Sequence, residues 1–162
     1  MHWKMGSIPF HREAFLIIVL LMVLLGKGLH SEAIAVSYSG WIVGGPVEEY
    51  GTILYSHDSG ESWARQGRAD QIPNIILGSV SAVNPRIAWA VGESSNGFGT
   101  ILHTTDAGQT WQRQGDQAQI PEVELLKVKA VSESVAWVVG FEGTVLRTTS
   151  GGRTWEDVSD SS

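Results

Sequence analysis

The 162 residues contain no cysteine, which excludes a disulfide framework, a thiolate zinc site and a cysteine nucleophile without identifying a compartment. Positive charge is scarce as well: 11 Lys and Arg against 17 Asp and Glu give a formal charge of −6. Lys4, Arg12 and Lys27 all precede Leu29, so the remainder is more acidic still. A chain of that sign lacks the electrostatic footprint for a nucleic-acid backbone, and no nucleic acid is expected as a partner. Charged residues total only 17%, below the usual quarter. After Gly28 no long stretch has a helical period, which excludes a helical repeat.

What is present in excess is glycine, 19 residues, and tryptophan, 7. Together they imply many tight turns and a recurring aromatic position. The length suits one ordinary domain. At the N-terminus Lys4, His11 and Arg12 precede the apolar run Ala14 to Gly26. That run fits the apolar region of a signal peptide and falls short of the roughly 20 residues that span a bilayer. Residues 1–28 are therefore expected to be a signal peptide or membrane anchor forming a hydrophobic helix. The protein is expected to be exported, periplasmic or otherwise extracytoplasmic, with residues 14–26 as its tether if they stay uncleaved.

The dominant signal is repetition, which has to be found before elements are assigned. Gly40 to Gly45 (GWIVGG) recurs as Ala88 to Glu93 (AWAVGE) and Ala136 to Phe141 (AWVVGF), with Trp41, Trp89 and Trp137 spaced 48 residues apart. Three 13-residue segments follow: GTILYSHDSGESW from Gly51, GTILHTTDAGQTW from Gly99 and GTVLRTTSGGRTW from Gly143. Apolar and polar residues alternate with period two, as in Leu126-Lys127-Val128-Lys129-Ala130-Val131, which indicates strands. Each unit reads as four short strands, the content and length of a propeller blade. The expected fold is all-β and β-propeller-like: three four-stranded blades at about 29–75, 76–123 and 124–159, an incomplete ring behind the N-terminal hydrophobic helix. Ala35-Val36-Ser37 aligns with Ala82-Val83-Asn84 and Ala130-Val131-Ser132. Cleavage after the small-x-small site Ala33-Ile34-Ala35 would cut that first strand away, so processing is expected near Gly28 or not at all.

Within the 13-residue segment lies a box, Ser/Thr-x-Asp-x-Gly-x-Thr/Ser-Trp, carried by Ser56, Asp58, Gly60 and Trp63, by Thr104, Asp106, Gly108 and Trp111, and by Thr148, Ser150, Gly152 and Trp155. The carboxylate is suited to accept backbone N–H groups across a tight turn. The glycine supplies a positive φ. The tryptophan is expected to fold back over its own hairpin and pin the loop. Ser150 stands where the aspartate should be, so the third box is expected to be the least rigid. All twelve positions read as structural.

These segments resemble the Asp-box, or bacterial neuraminidase, repeat over essentially all of Ala33 to Val158. Sialidases, sortilin-type receptor ectodomains and certain xyloglucanases share it. The W-A-V-G strand followed by G-T-I-L-x-T-T-D-x-G-x-T-W looks most like the photosystem II stability/assembly factor-like family. The resemblance implies a non-enzymatic protein-binding or assembly scaffold. It also implies a larger ring: propellers close from about four blades upward, so a protein partner or self-association is expected to complete this one. The alternatives are a degenerate or split sialidase-type glycoside hydrolase and a structural subunit of a membrane complex.

Catalytic residues are not expected, nor any cofactor or metal. Tyr38, Tyr50 and Tyr55 all fall in the first unit, and the Arg-Ile-Pro signature of sialidases is absent. Gln71-Ile72-Pro73 and Gln119-Ile120-Pro121 recur and read as turns between blades. Glu48 and Glu49 are adjacent, so they cannot flank a glycosidic bond as a carboxylate pair must. His57 and His103 lack a third ligand. Assembly-factor relatives use arginine-rich patches, which makes Arg65, Arg113, Arg147 and Arg153 candidates for partner binding. The loops that lengthen the first two units add Glu48, Tyr50, Asn96 and Phe98, since insertions in repeat proteins often carry binding.

Overall fold

The computed structural model describes residues 37–159. The apolar segment 14–26, both processing sites and nearly all of the expected first strand of blade one lie outside the described residues. Among those described, eleven strands form three antiparallel sheets. Blade one holds β1 (Gly40–Val47), β2 (Tyr50–Ser56) and β3 (Ala64–Arg65). Blade two holds β4 (Leu77–Ala82), β5 (Ala88–Ser95), β6 (Phe98–Thr104) and β7 (Gln112–Arg113). Blade three holds β8 (Leu125–Ala130), β9 (Ala136–Gly140), β10 (Val145–Thr148) and β11 (Glu156–Asp157). Blades two and three are four-stranded meanders whose neighbours in sequence are neighbours in the sheet. No helix among the described residues is long and apolar enough to cross a membrane.

The repeated sequence makes repeated faces, because side chains alternate across a strand. Trp41 pairs with Tyr55 between β1 and β2, Trp89 with His103 between β5 and β6, and Trp137 with Arg147 between β9 and β10. The opposite face of blade two carries Ala88, Ala90 and Leu102; that of blade three carries Ala136, Val138 and Leu146. The core consists of the seams where one blade's tryptophan face meets the next blade's aliphatic face. One seam joins Trp89, Val91 and Ile101 to Leu125, Val128, Val138 and Leu146. The other joins Ile53, Trp41 and Val43 to Leu77, Ala88, Ala90 and Leu102. Each fully buried aliphatic or aromatic side chain contributes about 1.5–3 kcal/mol. The sheets are therefore held mainly by one another.

The box tryptophans correct one expectation. Trp111 and Trp155 are only 2% and 4% exposed, because they sit in the seam with the preceding blade rather than over their own hairpins alone. Trp111 meets Trp41 edge-on at 5.5 Å. Trp63, with no blade before it among the described residues, is 39% exposed and donates its indole N–H to its own box at Gly60 O (3.1 Å). The seam also explains a glycine: a Cβ on Gly108, at φ 81°, would lie 2.8 Å from the Trp41 ring.

The Gln-Ile-Pro segments do connect blades, and they do more than turn. The Gln71 and Gln119 side-chain carbonyls accept the backbone N–H of Trp111 (3.4 Å) and Trp155 (2.8 Å) in the following blade. Ile72 and Ile120 are fully buried in the two seams. Pro73 O and Pro121 O accept Gly51 N (3.0 Å) and Gly99 N (2.9 Å) at the start of the box strand in the preceding blade. One short segment thus links the hairpin of one blade, the seam and the box of the next.

Candidate functional site

Three kinds of side-chain cluster stand out along the stack, of which the first two recur. The first is the box. In blade one the Ser56 hydroxyl accepts Gly60 N (2.9 Å) and donates to Asp58 (2.7 Å), whose carboxylate also accepts Ser62 N (3.0 Å) and the Ser62 hydroxyl. Thr104, Asp106, Gly108 and Thr110 repeat the pattern in blade two. The hydrogen bonds from Ser62 and Ser56 hold the Asp58 carboxyl well below the usual carboxylate range. At Asp106 burial opposes ionisation most strongly, yet the bonds from Thr110 and Thr104 together prevail and the pKa is lowered. Ser150 keeps the geometry with a neutral oxygen: it accepts Thr154 N (3.0 Å) while Thr148 accepts Gly152 N (3.0 Å). The box hydroxyls and carboxylates are thus engaged in holding their own turns, whereas the indole N–H groups of Trp111 and Trp155 are buried without a partner.

The second cluster is an arginine clasp. Arg65 donates to Val47 O (2.8 Å) and Tyr50 O (3.0 Å), with its guanidinium 4.0 Å from the Tyr50 ring centre. Arg113 donates to Ser95 O and Phe98 O (3.0 Å) and stands 3.9 Å over the Phe98 ring. Each clasp closes the two-residue hairpin whose tip carries Glu48 or Asn96, both in the left-handed region. A planar guanidinium that caps two carbonyls and covers a ring fits such a hairpin end as lysine could not. The structure therefore brings together Arg65, Tyr50 and Glu48 in blade one, and Arg113, Phe98 and Asn96 in blade two. Burial lowers the Arg113 pKa from its usual value.

Arg147 and Arg153 do not join them. Arg153 donates to Ser150 O (3.1 Å) in the third box, at the strand ends opposite the hairpin tips. Arg147 lies on the third blade's tryptophan face, 5.3 Å from the Trp137 ring centre. Arg65, Arg113 and Arg147 each rest on an aromatic ring of their own blade, so they do not converge on one carboxylate as a sialidase arrangement requires. Among the described residues no group of three or more His, Asp or Glu could hold a metal ion.

The third cluster was not singled out from the sequence. It is the open tryptophan face of blade three, where Trp137 and Val139 are 38% and 41% exposed. With Lys127, Val128 and Lys129 they line a hollow of about 240 Å³. The signal lay in the repeat itself, since Lys127 and Lys129 stand 48 residues after Ser79 and Ser81.

The comparisons with known proteins agree with this architecture. The family described as photosynthesis system II assembly factor YCF48 matches residues 35–161. A solved structure titled "YCF48 bound to D1 peptide" superposes with a TM-score of 0.61 at 27% identity, covering 74% of this chain and 37% of that one. YCF48 from Cyanidioschyzon merolae superposes with a TM-score of 0.58 at 29% identity, covering 74% of this chain and 35% of that one. The chain thus spans little more than a third of the length of these solved structures. No curated protein matches it in sequence. With three Asp-box blades matched almost end to end, the chain belongs to the YCF48 photosynthesis system II assembly factor family.

Proposed function

We propose that this protein is a non-enzymatic scaffold that binds another protein during assembly or stabilisation of an extracytoplasmic, membrane-associated complex. The observation that carries this reading is the disposition of the polar side chains. Box hydroxyls and carboxylates, and the two arginine clasps, are engaged in fixing turns and hairpins. What remains for recognition is surface: the hairpin ends around Glu48, Tyr50, Asn96 and Phe98, and the open faces of the stack. Family membership supports the reading, as does the solved structure of YCF48 bound to D1 peptide. A protein partner, or a second copy, covers the open faces. Residues 14–26 export the chain or tether it to the membrane.

The test is purification of the full chain, carrying a C-terminal affinity handle, from its native envelope fraction in non-ionic detergent after in-cell crosslinking. The expected result is a defined protein partner in fixed ratio and no release of fluorophore from a sialoside substrate. Sialoside turnover by the purified chain, or recovery of the chain from the cytoplasmic fraction alone, contradicts it.

A further inference from the structure

The tryptophan faces of blades two and three share one geometry and differ in charge. In blade two the residues around Trp89 are neutral: Ser79, Ser81 and His103. Ser79 and Ser81 accept the backbone N–H groups of Val128 (3.3 Å) and Ala130 (3.0 Å) from blade three. His103 stacks on Trp89 at 4.1 Å. That is how a face is built to receive another blade. In blade three Trp137 and Val139 keep the apolar pair of Trp89 and Val91, but the three neutral positions have become Lys127, Lys129 and Arg147.

Three cations stand on one face of a chain with net charge −6; Glu156 is the cross-strand partner of Arg147 on that face, which leaves Lys127 and Lys129 without a carboxylate among the described residues. The one ion pair among those residues is Arg68 with Asp70, elsewhere in the molecule. An ammonium cannot accept a backbone N–H, so the two hydrogen bonds that seat blade three on blade two have no counterpart on this face.

We propose that the open face of blade three is a docking site for an acidic segment of a partner polypeptide. Trp137 and Val139 take an apolar side chain of that segment, and Lys127 and Lys129, which line the same hollow, take its carboxylates. The inference rests on the protein-binding reading above and assigns it a place. A second copy of the chain fits less well. Its opposite end face offers a neutral hollow of about 250 Å³ lined by Tyr38, Ser39, Gly40, Ser59, Gly60 and Trp63, with no carboxylate for the cations. An anionic bilayer also attracts lysines, but it is repelled by the rest of this acidic chain and does not need a hollow beside a ring.

The test uses the full chain in non-ionic detergent and a short fluorescent peptide alternating glutamate with leucine, read by anisotropy. Wild type binds this peptide and not its glutamine counterpart. Restoring the blade-two residues, Lys127→Ser with Lys129→Ser, weakens binding at least tenfold. Removing two cations elsewhere, Arg68→Ser with Arg86→Ser, changes it less than twofold. Equal weakening by both pairs overturns the site. Peptide binding untouched by K127S/K129S overturns it too, while leaving the protein-binding reading in place. Two further results assign the face to another occupant and so overturn the proposal: binding of phosphatidylglycerol vesicles in preference to the peptide, and a sedimenting dimer that K127S/K129S dissociates. Unchanged melting of each variant establishes that the fold survives.

Discussion

His103 shows how one residue's position in a seam creates a dependence on pH. Its ring lies against Trp89 and its Nε2 is buried without a partner. Burial lowers its pKa from the usual 6.5, so between that value and the lower folded one the unfolded chain binds more protons than the folded chain. Stability is then fully present above pH 6.5 and falls as pH drops below it. The melting temperature is expected to fall on the order of a few degrees from pH 7.5 to 5. His103→Tyr, which installs the residue blade one carries at the same pair, should flatten that difference. A fall of equal size in the variant would place the titrating group elsewhere. Asp58 and Asp106 act in a separate, more acidic window, since their lowered pKa values make their contribution present above the usual carboxylate value of 3.8 and lost as pH falls below it.

At the scale of the element, the box tryptophan is a fastener between blades, and its worth depends on whether a blade lies beneath it. Trp155 is buried against blade two, whereas Trp63 is 39% exposed. Trp155→Ala should therefore cost about 3–5 kcal/mol, the range for emptying a large core site, and Trp63→Ala less than about half of that. Urea unfolding of the two variants measures the difference; equal losses would show that the ring pins only its own turn. The strands themselves were legible from the two-residue alternation and the 48-residue spacing of Trp41, Trp89 and Trp137. The seam was not, because alternation assigns Trp111 to a face without saying which sheet lies opposite. Ile72 and Gln71 were hidden for the same reason: a recurring Gln-Ile-Pro announces a turn, while its contacts form with residues some 40 positions away in sequence, such as Gln71 with Trp111.

For the whole molecule, the stacking of each tryptophan face on the next blade's aliphatic face decides what is left for function. The arginines read from sequence as one docking set are separated by the fold. Arg65 and Arg113 clasp hairpins, Arg153 sits at a box and Arg147 lies beside Trp137. Sequence position alone could not separate them, since all four lie in or beside the same short segment of the unit. The Ser-to-Lys change at 127 and 129 was readable by aligning blades, but its meaning depends on knowing that Ser79 and Ser81 accept hydrogen bonds across a seam. The central claim is that this chain acts by holding another protein on specific surfaces. The most direct measurement places a photocrosslinking residue at Val139 on the open face, at Asn96 on a hairpin tip, or at Ala69 in an exposed connector, and irradiates intact cells. The account predicts a discrete protein adduct from Val139 or Asn96 and none from Ala69. Adducts of equal yield from all three positions, or no protein adduct from any, would contradict it.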